Sequence, residues 1–151
     1  MTPEQIAICD EHLPGRDPAE DKALSPFLRR IESAERKLTA MSREERSTEA
    51  GLDRKIDRML EKNADIDDAH EALITELKRL AAVRGEMLPV DAEEVEHVGR
   101  AEHDHTMDRY KVIARTPSGT VQLGGCADLN CGEERARWFQ ALLESRRRAT
   151  R

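Results

Sequence analysis

Aromatic residues are nearly missing from this chain, with Phe27, Tyr110, Trp138 and Phe139 the only four. Aromatic side chains bury large areas and dominate many globular cores, so their scarcity excludes a large aromatic-rich catalytic core. Long apolar runs are missing too. None approaches the roughly 18–20 residues needed to span a bilayer, which excludes an integral membrane helix and predicts no membrane partner. The opening residues Thr2-Pro3-Glu4-Gln5 have neither the basic nor the apolar segment of a secretory leader. Cysteines number three, an odd count, in a chain of 151 residues that needs no disulfide staples. A reducing cytoplasm is the expected setting. Signatures of catalysis are absent as well: no glycine-rich phosphate loop, nucleophile elbow or helical His-Glu-x-x-His occurs. No enzymatic activity is expected.

Charge is what the chain has in quantity. Charged residues make up 37% and hydrophobic ones 38%, and the net charge is −6. Residues 1–22 carry 6 acidic groups against 2 basic, residues 23–90 carry 14 against 13, and residues 91–151 carry 11 against 10. The negative excess therefore sits in the N-terminal arm. A nucleic-acid binder shows a basic face or stripe, and the pairs Arg29-Arg30, Arg36-Lys37 and Lys78-Arg79 lie among carboxylates as exposed helix faces do. No nucleic-acid partner is expected. The cluster Arg146-Arg147-Arg148 suits a helix C-terminus, where cations offset the dipole.

Helix starts are legible. Thr2-Pro3-Glu4-Gln5 supplies an N-cap, a proline at the first helical position and a capping-box glutamine. The helix it opens carries the stripe Ile6, Cys9 and Leu13 and ends at Pro14-Gly15. Asp17-Pro18-Ala19-Glu20 repeats that pattern, with Pro26 placed to restart or kink the second helix. Beyond it runs a heptad: positions 24, 31, 38, 45, 52, 59, 66, 73, 80 and 87 are apolar except Glu45. The companion seam at 28, 35, 42, 49, 56, 63, 70, 77 and 84 is mostly polar, which describes a coiled coil of modest stability. Ser42-Arg43-Glu44-Glu45 and Gly51 mark a turn, giving a hairpin of helix 19–41 against helix 50–85. At 1.5 Å per residue the arms are about 35 and 54 Å long. A break at Asn63-Ala64-Asp65 would give a three-helix bundle instead.

Gly85 and Pro89 close the helical part, and the period shortens. Residues 93–102 and 109–116 alternate as strands, with Tyr110, Val112 and Ala114 on one face. Thr116-Pro117-Ser118-Gly119-Thr120 reads as a hairpin turn, Val121 and Leu123 as the return strand, and Gly124-Gly125 as its end. Asn130, with Glu133 three residues on, caps a last helix that buries Trp138, Phe139, Leu142 and Leu143. The expected fold is α+β and mostly helical. A helical hairpin or coiled coil fills residues 1–88, and a small antiparallel β-β-β-α unit fills 91–151.

Two constellations are placed to bind metal. Cys9 and His12 lie one helical turn apart, and Cys126 and Cys131 flank a strand-to-helix loop, so together they offer Zn²⁺ a four-ligand set. Cys9 equally continues an apolar stripe, and the Cys126–Cys131 gap is longer than the usual two residues. His103-Asp104-His105, with His97 nearby, offers two imidazoles without an evident third ligand, as a solvated loop also would. His70 and Asn63 are polar at seam positions, where they lower stability and set register. Asp65-Ile66-Asp67-Asp68 lacks the spacing and glycine of a calcium loop.

The expected function is non-enzymatic protein–protein interaction, as an adaptor, assembly factor or inhibitor. A protein partner or a second copy would meet the heptad seam at Leu52, Ile56, Met59, Ile66, Leu73, Leu77 and Leu80. The alternative is a zinc-stabilised regulatory or binding domain built on Cys9, His12, Cys126 and Cys131.

Overall fold

The computed structural model describes residues 1–43, 49–99 and 110–151, without the side chains of residues 49 and 50. It is a mostly helical α+β protein with four helices and one three-stranded antiparallel sheet among the described residues. The helices are α1 (Pro3–His12), α2 (Pro18–Ser42), α3 (Glu49–Glu86) and α4 (Leu129–Ala149). The strands β1 (Glu94–Gly99), β2 (Tyr110–Thr116) and β3 (Gly119–Cys126) lie in the order β1-β2-β3.

The start signals act as their residue types require. Thr2 Oγ1 accepts the Gln5 amide at 3.2 Å, and Gln5 Oε1 accepts the Thr2 amide at 3.0 Å. Asp17 and Glu20 repeat this reciprocal box at the start of α2, at 2.8 and 3.0 Å. α2 continues through Pro26 as one helix, and α3 continues through Asn63-Ala64-Asp65. The third-helix reading is therefore corrected: a cap-competent Asp65 does not end a helix whose apolar register runs on past it. Most of the expected turn at 42–50 lies outside the described residues.

The chain divides into two compact units, and the division does not follow the expected boundary at 88–91. One unit holds residues 23–76, and the other combines residues 2–22 with 77–151.

In the first unit α2 and α3 form an antiparallel hairpin. Lys55 donates to the Ser42 carbonyl at 3.3 Å, while Arg30, Ser33, Ala34 and Lys37 share a groove of about 240 Å³ with Asp65. Leu24, Leu28 and Ile31 on α2 and Ala69 and Leu73 on α3 are its buried apolar residues.

In the second unit α4 packs across all three strands. Val95 pairs with Ala114 in β1–β2, and Val112 pairs with Gly124 in β2–β3. Leu88, Val95, Val112, Ala114, Leu123, Ala136, Phe139 and Leu143 form one core, with Trp138 and Leu142 packed at its edge. Of the four residues expected to be buried on α4, only Phe139 and Leu143 are fully so. The cap of α4 is Asp128 and not Asn130: its backbone is still extended at φ −125°, and its carboxylate accepts the Cys131 amide at 2.8 Å. On α1 Cys9 and Leu13 are buried as expected, but Ile6 is exposed and Gln5 is buried in its place. Gln5 is turned inward by the capping box it completes.

Candidate functional site

The seven seam residues divide. Leu73, Leu77 and Leu80 are buried, so this chain already covers them. Met59 and Ile66 are half-buried. Leu52 and Ile56, 48% and 46% exposed, stand open on α3, and Leu60 extends them with 61% exposure. Residues 52, 56 and 60 lie on successive turns of one helical row. Leu60 falls outside the seam positions of a strict heptad, which is why the heptad does not single it out. The neighbouring row carries the exposed carboxylates Asp53, Asp57 and Glu61, and exposed Asp67, Asp68 and Glu71 follow along α3. This face is apolar along one edge and acidic along the next.

The most unusual chemistry of the second unit is interior. Arg84 and Arg135 are 1% and 0% exposed, and both converge on Glu20. Arg84 donates through Nε to Glu20 Oε2 and through Nη2 to Oε1, each at 2.8 Å. Arg135 donates to Oε1 from Nη1 and pairs with Asp17 at 3.4 Å. Further guanidinium N–H groups reach main-chain carbonyls: Pro14 at 2.6 Å from Arg84, and Leu123 at 2.8 Å and Gly15 at 3.2 Å from Arg135. Two cations thus meet two carboxylates, and no buried side-chain polar atom among the described residues lacks a partner. Each guanidinium also faces a ring, Arg84 over Trp138 at 5.1 Å and Arg135 over Phe139 at 5.7 Å.

Backbone geometry makes room for this cluster. Gly15 has φ +63°, and a Cβ there would overlap the Arg135 main chain. A Cβ on Gly124, at φ +132°, would overlap the Arg135 guanidinium. Burial raises the Glu20 pKa, but the Arg84 hydrogen bonds and the charges of Arg84 and Arg135 outweigh it and hold the carboxyl below its ordinary value. For Arg84 burial wins and draws the pKa down, since it shares its carboxylate with a second cation. A guanidinium so placed stays charged at neutral pH.

This cluster holds structure together: its arginines are buried, and among the described residues its buried polar atoms are partnered. In the sequence Glu20 is legible as a capping residue and Arg84 as a polar seam position, whereas no local pattern marks Arg135. The available signal was an arginine on a seam whose neighbours Leu73, Leu77 and Leu80 are apolar, two residues before the helix end.

Beside the cluster lies an open cleft of about 610 Å³. Asp10, Arg16 and Asp21 line one side, with Arg16 bonded to Asp10 at 2.6 Å and to Asp21 at 2.9 Å. Asp128, Cys131 and Glu134 line the other. Cys131 is joined to Cys126 in a disulfide with a Cα–Cα distance of 5.8 Å.

The expected zinc ligands are not assembled. Cys126 and Cys131 do come together, but as a disulfide that leaves neither sulfur a thiolate. Cys9 is a free buried thiol whose pKa burial pushes up, which favours the protonated, non-ligating form. His12 sits half-buried in the last turn of α1. Among the described residues no three of His, Cys, Asp and Glu stand where they could share a metal ion.

His70 donates from Nδ1 to the Ile66 carbonyl at 2.9 Å, a bond within its own helix. His97 packs at a tilt on Tyr110, with ring centroids 5.9 Å apart. His103, Asp104 and His105 lie outside the described residues. Among the described residues no helix is long and apolar enough to cross a membrane. Comparison with protein-family models, with curated proteins and with solved structures finds no match.

Proposed function

We propose that this chain is a non-enzymatic protein–protein interaction module whose exposed α3 face receives a basic amphipathic helix of a protein partner. One observation carries the reading: Leu52, Ile56 and Leu60 stand exposed in a row beside the carboxylates of Asp53, Asp57 and Glu61. Single exposed leucines are ordinary, but three on consecutive turns match the i, i+4 anchors by which a helix meets another helix. The adjoining carboxylates select a partner of positive charge and raise its rate of encounter. They also work against a second copy, since two faces of net negative charge repel. A cytoplasmic setting belongs to the same proposal; it rests on the free Cys9 thiol and requires the Cys126–Cys131 disulfide to be reversible there.

The probe is a synthetic amphipathic helix with a leucine row flanked by lysines, titrated against the full chain by fluorescence anisotropy. Binding should weaken when Leu52, Ile56 and Leu60 are all changed to Ser. It should also weaken when Asp53→Asn, Asp57→Asn and Glu61→Gln are combined, and with added salt. Equal binding by all these proteins removes the reading. Sedimentation of the unliganded chain separates the other occupant: a concentration-dependent dimer abolished by the triple serine variant assigns the face to a second copy.

A further inference from the structure

We propose that Cys126 and Cys131 form a reversible thiol–disulfide exchange site that is entered at Cys131, from the acidic cleft, by small disulfides that are cationic or neutral. The inference is independent of the α3 face and concerns the other compact unit.

Four observations lead to it. The two cysteines are already joined across the loop between β3 and α4, so the oxidised state fits the fold. Their exposures differ: Cys126 is buried, whereas Cys131 is half-exposed and lines the cleft. An external reagent therefore reaches one sulfur, and only the neighbouring cysteine reaches the other. The reduced state is also provided for, because Cys131 Sγ lies 3.1 Å from the Arg16 carbonyl, where a thiol proton can be donated. Finally, the cleft lining sets Asp10, Asp21, Asp128 and Glu134 against the single guanidinium of Arg16. That excess of carboxylates repels anionic reagents and attracts cationic ones.

The chemistry balances without a cofactor. Cys131 is the third residue of α4 and the more exposed of the two sulfurs, and in the reduced protein its thiol gives its proton to water. The thiolate attacks one sulfur of a small disulfide. The reagent S–S bond breaks, and the first small thiolate leaves and takes a proton from water. Cys126 then gives its proton to water and attacks Cys131 Sγ, which releases the second small thiol. The protein dithiol is oxidised by two electrons, and the small disulfide is reduced to two thiols.

The test uses the full chain, reduced and desalted, then mixed with cystamine (a dication), hydroxyethyl disulfide (neutral) or oxidised glutathione (an anion). Aliquots are quenched with acid and mapped by mass spectrometry. The expected product is the Cys126–Cys131 disulfide with two hydrogens lost, preceded by a transient adduct on Cys131. Cys126→Ser should trap that adduct, while Cys131→Ser should leave Cys126 unmodified in folded protein. Cystamine should react about tenfold faster than oxidised glutathione at low salt, with the gap closing as salt is added or in Glu134→Gln. First modification at Cys126 or Cys9, or a mixed disulfide in the wild type that never resolves, overturns the site. Equal rates for the three reagents overturn the assignment of reagent charge. The wild-type time course reads all three results even if a cysteine variant does not fold.

Discussion

Glu20 does two jobs with one carboxylate. Its place after Asp17-Pro18-Ala19 makes it a capping-box acid, and that much was legible from four consecutive residues. Its second role, as counter-ion to Arg84 and Arg135, comes from residues 64 and 115 positions away, which no local pattern registers. Glu20→Gln should therefore cost more than a helix cap, since it leaves two buried guanidiniums facing an amide. About 3–5 kcal/mol is expected at neutral pH, against roughly 1 kcal/mol for a lost cap. The Glu20 pKa is lowered in the folded state, so its contribution is full above the unfolded value of about 4.3. It is lost as acid carries the pH down through the lowered folded value. Urea denaturation from pH 7 to pH 3 should show the gap between wild type and Glu20→Gln narrowing as the pH falls. A gap that holds constant or widens would show that Glu20 is not ionised in the fold. Gly15 offers a steric test of the same cluster. Gly15→Ala meets both a positive φ and the Arg135 main chain, and should cost about 2–4 kcal/mol. Gly99→Ala, which meets nothing within 4 Å among the described residues, should stay within about 0.5 kcal/mol of wild type. Similar denaturation midpoints for the two variants would contradict the close approach at Gly15.

Helices and strands were more legible than individual contacts, because caps and periodicity are local. The arms expected at 19–41 and 50–85 are observed at Pro18–Ser42 and Glu49–Glu86. The differences have particular causes. Asn130 looked like a cap because it is followed by Glu133, but the chain is already helical there, and Asp128 is the last extended residue able to accept an amide. Gly124-Gly125 looked like a strand end, yet β3 continues to Cys126. Gly124 is required there by the Arg135 guanidinium and not by a turn. Pro26 is the clearest conflict between local preference and tertiary structure. It sits in the interior of α2 and removes the amide that would otherwise bond the Lys22 carbonyl, at an intrinsic cost of about 3 kcal/mol relative to alanine. The helix persists because Leu24, Leu28 and Ile31 on either side of it are buried. Pro26→Ala should accordingly stabilise the protein by about 1–3 kcal/mol, read as a higher midpoint in urea with an unchanged slope. A lower midpoint would show that the proline ring makes packing contacts worth more than the hydrogen bond it removes.

For the whole molecule the decisive point is which segments complete one another. Composition and period change near residue 88, and they suggest a helical half followed by an independent β-β-β-α half. The compact units divide otherwise, joining residues 2–22 to 77–151. The reason is electrostatic as much as apolar. Arg135 on α4 is fully buried, and apart from the Leu123 carbonyl its hydrogen-bond and ion-pair partners Gly15, Asp17 and Glu20 come from the N-terminal segment. Arg84 depends on the same segment through Glu20 and the Pro14 carbonyl. Cutting the chain near residue 90 separates α4 from both Arg84 and Glu20. It also removes Leu88 from the core and takes away the Gly85 and Leu88 carbonyls that Arg146 caps at 3.0 and 2.9 Å. An unpartnered buried cation alone costs about 3–5 kcal/mol, comparable with the whole stability of a small domain at about 5–15 kcal/mol. A fragment of residues 91–151 should therefore lack a cooperative thermal transition by circular dichroism. A fragment of residues 77–151 should gain one only when a peptide of residues 2–22 is added, and should lose it again when that peptide carries Glu20→Gln. Cooperative unfolding of 91–151 alone would mean that the sheet and α4 tolerate an unpaired Arg135, and the N-terminal segment would then be an accessory to this unit instead of part of its core.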